Sequence, residues 1–167
     1  HLHKKIPVGA GLGGGSADGA FTLIALNQIY NLYLSNLELK SYALKLGADC
    51  PFFIDNEPQY VTGIGEKMVP IDLDLTAFEL KFIFPNLHVT TAEAYASVKP
   101  MFPDTPLLKV IKLPIEKWKS ELINDFEMSQ FSINPSLKSI KDRLYADGAI
   151  YASMTGSGSV IYGLFKK

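Results

Sequence analysis

A dense run of glycines between Pro7 and Ser16 is the feature of this sequence best suited to chemistry. The run reads Pro-Val-Gly-Ala-Gly-Leu-Gly-Gly-Gly-Ser, and an apolar stretch with helical spacing follows from about Ala17. Glycines lack a Cβ atom, so several backbone N–H groups can converge on an anion, and the helix start adds its unpaired N–H groups and positive dipole end. These residues predict a phosphate-binding loop.

A second reactive group is the carboxylate of Asp49, which lies in a turn between Gly47 and Pro51 and precedes two phenylalanines. Such a carboxylate can accept the proton of an attacking hydroxyl group if the fold presents it to bound phosphate. On the residues alone, a plain turn-forming aspartate is the better interpretation. The adjacent Cys50 has no basic sequence neighbour to activate a thiolate, so we expect a buried structural thiol.

Two other phosphate loops fit the glycine run poorly. A dinucleotide fingerprint can be placed on Gly9, Gly11 and Gly14, but a proline interrupts the incoming strand and no acidic residue follows at the ribose-reading distance. A Walker loop needs a lysine and a hydroxyl residue after its last glycine, whereas serine and alanine follow Gly15. The dinucleotide fold stays a minor alternative, and the Walker loop is excluded.

A proline followed by Gly-Leu-Gly-Gly-Gly-Ser at a helix start resembles the phosphate loop of the GHMP kinases. Three later segments resemble, in order and spacing, the branch of this family that phosphorylates 4-diphosphocytidyl-2-C-methyl-D-erythritol in non-mevalonate isoprenoid synthesis. They are 46–53 (Leu-Gly-Ala-Asp-Cys-Pro-Phe-Phe), 63–66 (Gly-Ile-Gly-Glu) and 154–159 (Met-Thr-Gly-Ser-Gly-Ser). The resemblance covers nearly the whole chain and implies transfer of the ATP γ-phosphate, with Mg²⁺, to the 2-hydroxyl of that substrate.

The resemblance also implies roles for individual residues. Asp49 matches the catalytic aspartate of the family, which reverses the interpretation from the residues alone. Thr91 matches a residue near the substrate diphosphate, and Tyr95 matches an aromatic ring that stacks on cytosine, although Tyr95 by itself would be interpreted as a core tyrosine. Gly156 and Ser157 match a connector that lies against the phosphate loop and the substrate, with a plain hairpin turn as the alternative. The residues implied to bind the ATP phosphates are Pro7, Gly9, Ala10, Gly11, Leu12, Gly13, Gly14, Gly15 and Ser16.

No metal site is predicted from the residues. The Ser16 hydroxyl is a candidate Mg²⁺ contact and also a candidate helix N-cap, and both roles are compatible. Asp18 is interpreted as a partner of the helix dipole rather than a metal ligand. His1 and His3 alternate along a predicted strand and His88 stands alone, so the histidines offer no metal set.

The sequence departs from the family at its start. Members of the family begin with a segment that carries a catalytic lysine, and Lys4 and Lys5 do not match that lysine. We therefore expect the chain as given to be inactive or nearly so. The alternatives are another GHMP kinase, acting on homoserine or mevalonate, and a non-catalytic nucleotide-binding fragment.

The elements that must position these residues can be predicted from local signals. Ser35 with Glu38, and Thr90 with Glu93, form capping boxes ahead of helices over 37–46 and 92–98. Helical spacing predicts further helices from 17 to about 31, over 115–123 and from Pro135 onward. Strands are predicted over 1–6, 59–62, 67–71, 80–84, 150–154 and 159–164.

These elements predict an α+β fold. The resemblance implies a partial GHMP kinase N-terminal domain over 1–76, similar to ribosomal protein S5 domain 2, and a ferredoxin-like C-terminal domain over 77–167. The 167 residues include 16 Lys and Arg and 17 Asp and Glu, so the net charge is close to zero. Overall charge therefore does not favour nucleic acid or an anionic membrane as a partner. The single cysteine and the lack of a long apolar run suit a cytoplasmic protein that binds a small-molecule substrate. We expect a monomer or weak homodimer.

Overall fold

The computed structural model describes residues 3–167, which form two compact units. The helical unit comprises residues 13–73, and the sheet unit comprises residues 3–12 together with residues 74–167. The predicted domain limits at 76 and 77 stay a prediction. The strand predicted over 1–6 is wrong for residues 3–6, which have no regular secondary structure, while His1 and Leu2 lie outside the described residues.

The helical unit contains three helices and one hairpin, which are α1 (Gly14–Ile29), α2 (Asn36–Leu46), α3 (Phe52–Asp55), β1 (Gln59–Thr62) and β2 (Lys67–Pro70). The predicted capping box at the start of α2 is present, with the Ser35 side chain accepting from the Glu38 N–H and Glu38 Oε2 accepting from the Ser35 N–H at 2.8 Å. β1 and β2 pair antiparallel, with Gln59 opposite Pro70. Sequence patterning did not predict the four-residue helix α3.

The core of the helical unit is small. Its buried cluster consists of Ala20, Leu39, Ala43, Cys50 and Ile54. We predicted α1 as a buried helix, but Ala20 is its only fully buried residue, and Phe21, Leu26 and Ile29 are exposed. Small side chains at the α1–α2 contact allow close approach of these helices but bury little apolar area.

The sheet unit is built around three antiparallel strands, with β5 (Ile161–Lys166) between β3 (Phe78–Ile83) and β4 (Tyr151–Met154). Phe78 lies opposite Lys166, and Tyr151 lies opposite Leu164. The helices of this unit are α4 (Thr91–Ser97), α5 (Leu107–Val110), α6 (Ile115–Glu121), α7 (Phe126–Ile133) and α8 (Pro135–Ala146). These helices and antiparallel strands confirm the α+β prediction.

Every residue of β4 is buried, and the main core cluster surrounds it. The buried members of that cluster are Leu137, Leu144, Ala149, Ala152, Met154, Ile161 and Phe165. Beside this cluster the buried ring of Trp118 contacts Tyr151 edge to face, with centroids 5.7 Å apart. Burial raises the pKa of both Tyr151 and Tyr162, because desolvation disfavours the phenolate.

None of the helices in residues 3–167 is both long and apolar enough to cross a membrane.

Candidate phosphate loop and active-site residues

The first half of the glycine loop belongs to the sheet unit and is held by the connector between β4 and β5. Gly9 and Gly11 have φ of +75° and +71°, which favours glycine. The Thr155 hydroxyl donates to the Ala10 carbonyl at 3.0 Å. A Cβ on Gly11 would lie 2.3 Å from the Thr155 carbonyl oxygen, so the two backbones are in direct contact. The connector is therefore more than a plain hairpin turn.

The second half of the loop belongs to the helical unit and opens α1. Gly13 is the N-cap residue with φ +65°, and no side chain caps the helix. Ser16 lies inside the first turn, so the N-cap interpretation of Ser16 is wrong. Asp18 lies beyond the first turn, which contains no acidic residue, so its predicted dipole role is also wrong. The first N–H groups of α1 thus face no capping side chain, which suits an anion.

Gly15, in the first turn of α1, borders open space that a ligand could occupy. A Cβ placed on Gly15 would meet no atom within 4 Å, although the other loop glycines Gly11 and Gly13 would clash with protein atoms. The left-handed Gly13, the uncapped helix start and this open position, all within the helical unit, suit an anion such as phosphate.

The turn that carries Asp49 is fixed against the start of α1 within the helical unit. The Cys50 N–H donates to the Gly47 carbonyl at 3.1 Å, and the Phe53 ring lies against Gly13, where a Cβ would approach it to 2.9 Å. Cys50 is buried, as expected for a structural thiol, whereas Asp49 is exposed. The turn therefore presents the carboxylate to solvent and keeps the thiol inside.

Two of the residues predicted to bind substrate, Thr91 and Tyr95, lie on α4 in the sheet unit. Its predicted capping box is present, and the Thr90 hydroxyl and N–H lower the pKa of Glu93 by hydrogen bonding to its carboxylate. Thr91 is exposed, and Tyr95 is 65% exposed with its ring edge-to-face against Phe126 at a centroid distance of 5.0 Å. The core-tyrosine alternative for Tyr95 is wrong, because most of the residue is exposed.

A cavity of about 260 Å³ adjoins the first half of the loop in the sheet unit. Pro7 to Ala10 form one wall, and residues 84–88 and Ser159 contribute the remainder. The His88 ring lies over Gly9, where a Cβ would meet it at 2.4 Å. Sequence patterning gave His88 no role, because nothing in the sequence signals this contact.

Asn124 also contacts the connector of the candidate site. Its Nδ2 donates to the carbonyls of Met154 and Gly156, at 2.9 and 2.8 Å. Ser157, the other predicted connector residue, is half-buried beside this anchor.

A protein-only metal cage is absent from the part of the chain that the structure describes, because no three His, Cys, Asp or Glu side chains there cluster suitably. Mg²⁺ in phosphate sites commonly keeps several waters and takes only one or two protein ligands. The Ser16 hydroxyl in the first turn of α1 is compatible with that pattern.

Two family models match this chain. The model of the GHMP kinases N terminal domain matches residues 1–56, and the model of the GHMP kinases C terminal region matches residues 115–167. Together they match more than half of the sequence.

Curated relatives match along almost the entire chain. A 4-diphosphocytidyl-2-C-methyl-D-erythritol kinase of Azobacteroides pseudotrichonymphae is 51% identical, with 100% of this chain and 63% of that protein aligned. The enzyme of the same name from Bacteroides fragilis is 48% identical, with 99% and 60% aligned. The chain thus spans less than two thirds of the length of these relatives.

Solved structures give the same result. A crystal structure of 4-(cytidine 5'-diphospho)-2C-methyl-D-erythritol kinase superposes with a TM-score of 0.81 at 35% identity, with 98% of this chain and 60% of that chain covered. The homoserine kinase of Cytophaga hutchinsonii superposes at 0.68 with 18% identity, with 98% and 59% covered, which shows the fold alone. These similarities confirm the predicted α+β fold with GHMP N- and C-terminal regions.

Proposed function

This chain belongs to the GHMP kinase family, and we propose that the full-length protein phosphorylates the 2-hydroxyl of 4-diphosphocytidyl-2-C-methyl-D-erythritol with ATP. The observation that carries the proposal is the uncapped start of α1 after three left-handed glycines, Gly9, Gly11 and Gly13. The names of the relatives, at up to 51% identity, support this substrate. The activity is assigned to the full-length protein, because the chain aligns with about 60% of the relatives' length.

The glycine loop would bind the ATP phosphates through backbone N–H groups. In phosphoryl transfer the protein mainly positions the reactants and neutralises charge on the transferred group. The proposed N–H donors are Gly9, Ala10, Gly11, Leu12, Gly13, Gly14, Gly15 and Ser16, and Pro7, which has no N–H, is proposed to lie beside the phosphates at the start of the loop. When bound, Mg²⁺ would neutralise phosphate charge, and the Ser16 hydroxyl is its proposed protein contact.

We assign the general-base role to Asp49. The substrate hydroxyl would give its proton to this carboxylate while the hydroxyl oxygen forms a bond to the γ-phosphorus of ATP. The bond from that phosphorus to the β–γ bridging oxygen breaks, and ADP leaves. The exposure of Asp49 and the hydrogen-bonded turn beneath it support the assignment.

The substrate would be recognised by residues of the sheet unit. Tyr95 offers an exposed ring face that suits stacking on cytosine, and Thr91 offers a hydroxyl one turn earlier on α4. Gly156 and Ser157 lie in the connector that contacts the loop. The proposed partners therefore remain small molecules, in a cytoplasmic protein that is a monomer or weak homodimer.

An assay of the full-length protein with ATP and each candidate alcohol tests the proposal. We expect ADP release with 4-diphosphocytidyl-2-C-methyl-D-erythritol, competition by CMP, and only background ADP release with homoserine or mevalonate. Turnover of homoserine or mevalonate without turnover of the cytidyl substrate would assign a different GHMP reaction. Nucleotide binding without turnover of any of the three would assign a non-catalytic role.

A further inference from the structure

The side-chain amide of Asn124 has partners for all of its polar groups. Nδ2 donates to the Met154 carbonyl at 2.9 Å and to the Gly156 carbonyl at 2.8 Å. Oδ1 accepts from the Phe126 N–H at 3.0 Å at the start of α7. One side chain thus joins α7 to the two carbonyls that flank Thr155.

Thr155, which lies between the two carbonyls held by Asn124, contacts the glycine loop. Its hydroxyl donates to the Ala10 carbonyl at 3.0 Å, and its own carbonyl accepts from the Gly158 N–H at 2.9 Å. The same carbonyl lies where a Cβ of Gly11 would be. Any shift of the Thr155 peptide would therefore displace both Ala10 and Gly11.

The same end of the connector, where it leaves β4, is also held by Glu127 of α7. Glu127 is buried, and its Oε1 accepts from the Met154 N–H at 2.8 Å and from the Ser153 hydroxyl at 3.1 Å. Its Oε2 pairs with Lys141 Nζ at 2.5 Å. A buried carboxylate with all of these partners fixes the end of β4, so the connector cannot easily move to compensate for loss of Asn124.

We propose that Asn124 is a positioning residue for phosphate binding, which acts through Thr155 on residues 9–12 of the loop. The inference rests on the proposed function only in taking this loop as the nucleotide site. Removal of the Asn124 amide would change loop order and nucleotide affinity in the folded protein. A residue that merely stabilises the fold would not have these effects.

The variant N124D tests the donor groups specifically. Aspartate keeps an oxygen that can accept from the Phe126 N–H, but it replaces two donated hydrogen bonds with a carboxylate oxygen facing two carbonyls. We expect the Kd for a non-hydrolysable ATP analogue, measured by calorimetry on the full-length protein, to rise about tenfold. Hydrogen exchange in peptides covering residues 8–13 should also become faster.

Two other variants serve as controls. Asn27 in the helical unit donates to the Leu34 carbonyl and accepts from the Leu34 N–H, both at 3.0 Å, so N27D makes the same chemical change in an unrelated anchor. It should lower the melting temperature without changing the Kd. T155V removes the hydroxyl at the next step, and its effect on Kd should be less than additive with that of N124D.

A lower melting temperature in N124D with unchanged Kd and unchanged loop exchange would overturn the positioning role, as would an equal rise of Kd in N27D. If N124D does not fold, T155V decides, because an unchanged Kd in that variant also contradicts the inference.

Wild-type protein that binds no nucleotide would overturn the proposed function. Loop exchange still tests the mechanical role of Asn124 in that case, and an unchanged rate in N124D would reject it.

Discussion

The sheet unit buries every residue of β4 within a cluster of large side chains, whereas the helical unit has five buried core residues, of which three are alanine or cysteine. The proposed functions divide along the same line. The helical unit contains Asp49 and the uncapped start of α1, and the sheet unit contains Thr91, Tyr95 and the connector. The proposed reactive groups thus lie on the lightly packed unit, and the residues proposed to recognise the substrate lie on the well-packed one.

Substitution of Asp49 tests the role proposed for the helical unit, and it should cause the largest change in activity. D49N keeps the shape of the side chain but removes the base, so turnover should fall about 100- to 10,000-fold, while ATP affinity is retained. Steady-state kinetics and calorimetry would measure the two quantities. D72N, an exposed aspartate of the same unit, is the matched control. Unchanged turnover in D49N would remove Asp49 from the mechanism.

Core truncation tests the difference in packing directly. Leu137 and Leu39 are both buried, one in each cluster. Leucine-to-alanine changes in cores cost about 2–5 kcal/mol, and we expect L137A near the upper end and L39A near the lower end. Chemical denaturation of the two variants would provide the free energies of unfolding. An equal or larger cost for L39A would contradict the contrast between the two cores.

The recognition surface is tested by Y95A. Loss of base stacking costs about 1–3 kcal/mol, so the KM for the cytidyl substrate should rise roughly 5- to 150-fold, and the KM for ATP should change little. Y42A removes another exposed tyrosine, in the helical unit, and serves as the control. A larger rise in the KM for ATP would reject the assignment of Tyr95.

At Gly15, one substitution should affect protein stability and nucleotide affinity in opposite directions. Alanine favours helix over glycine by about 0.5–1 kcal/mol, and a Cβ at this position meets no protein atom within 4 Å. G15A should therefore raise stability yet weaken nucleotide binding, since the Cβ occupies the space proposed for phosphate. G19A, where the Cβ makes ordinary contacts at 3.5 and 3.8 Å, should leave nucleotide affinity unchanged. Equal affinities in G15A and wild type would place the phosphates elsewhere.

The two capping boxes should give the smallest effects, of similar size in both units. Hydrogen bonds from Ser35 and Thr90 lower the pKa of Glu38 and Glu93 below the usual 4.5. Their stabilisation is therefore present above that value and is lost as the pH falls through the lowered pKa of the folded state. The melting-temperature deficits of E38Q and E93Q should shrink between pH 7 and pH 3. Deficits that persist at pH 3 would show that charge is not involved.

The sequence predicted most element starts because caps and turns are local. Ser35, Thr90 and Pro135 each mark an observed helix start. Helix α7 was not predicted, because its N-cap Asp125 makes no capping hydrogen bond and its pattern is inverted, with Glu127 and Gln130 buried and Met128 exposed. Glu127 is buried because it accepts hydrogen bonds from β4, and the buried Gln130 donates to the Ser97 hydroxyl of α4, contacts that only the tertiary structure reveals.

In the candidate site, too, sequence patterns could predict local features but not contacts between distant residues. Spacing and resemblance made the glycine loop and Asp49 candidate site residues, because these signals are contiguous in the chain. The contact of Thr155 with Ala10 joins residues far apart in sequence, and no local pattern indicates that Asn124 holds the carbonyls on either side of Thr155. Tyr95 was interpreted from the residues as a core side chain because helical spacing cannot tell which face of α4 remains open.

The buried positions of Trp118 and Cys50 give each unit its own natural reporter. The chain has one tryptophan and one cysteine, and they lie in the cores of the sheet unit and the helical unit respectively. Indole fluorescence therefore follows loosening of the sheet unit, and the rate of thiol labelling follows opening of the helical unit. The unfolding rates of the two units can therefore be measured separately without introducing a probe residue into the sequence.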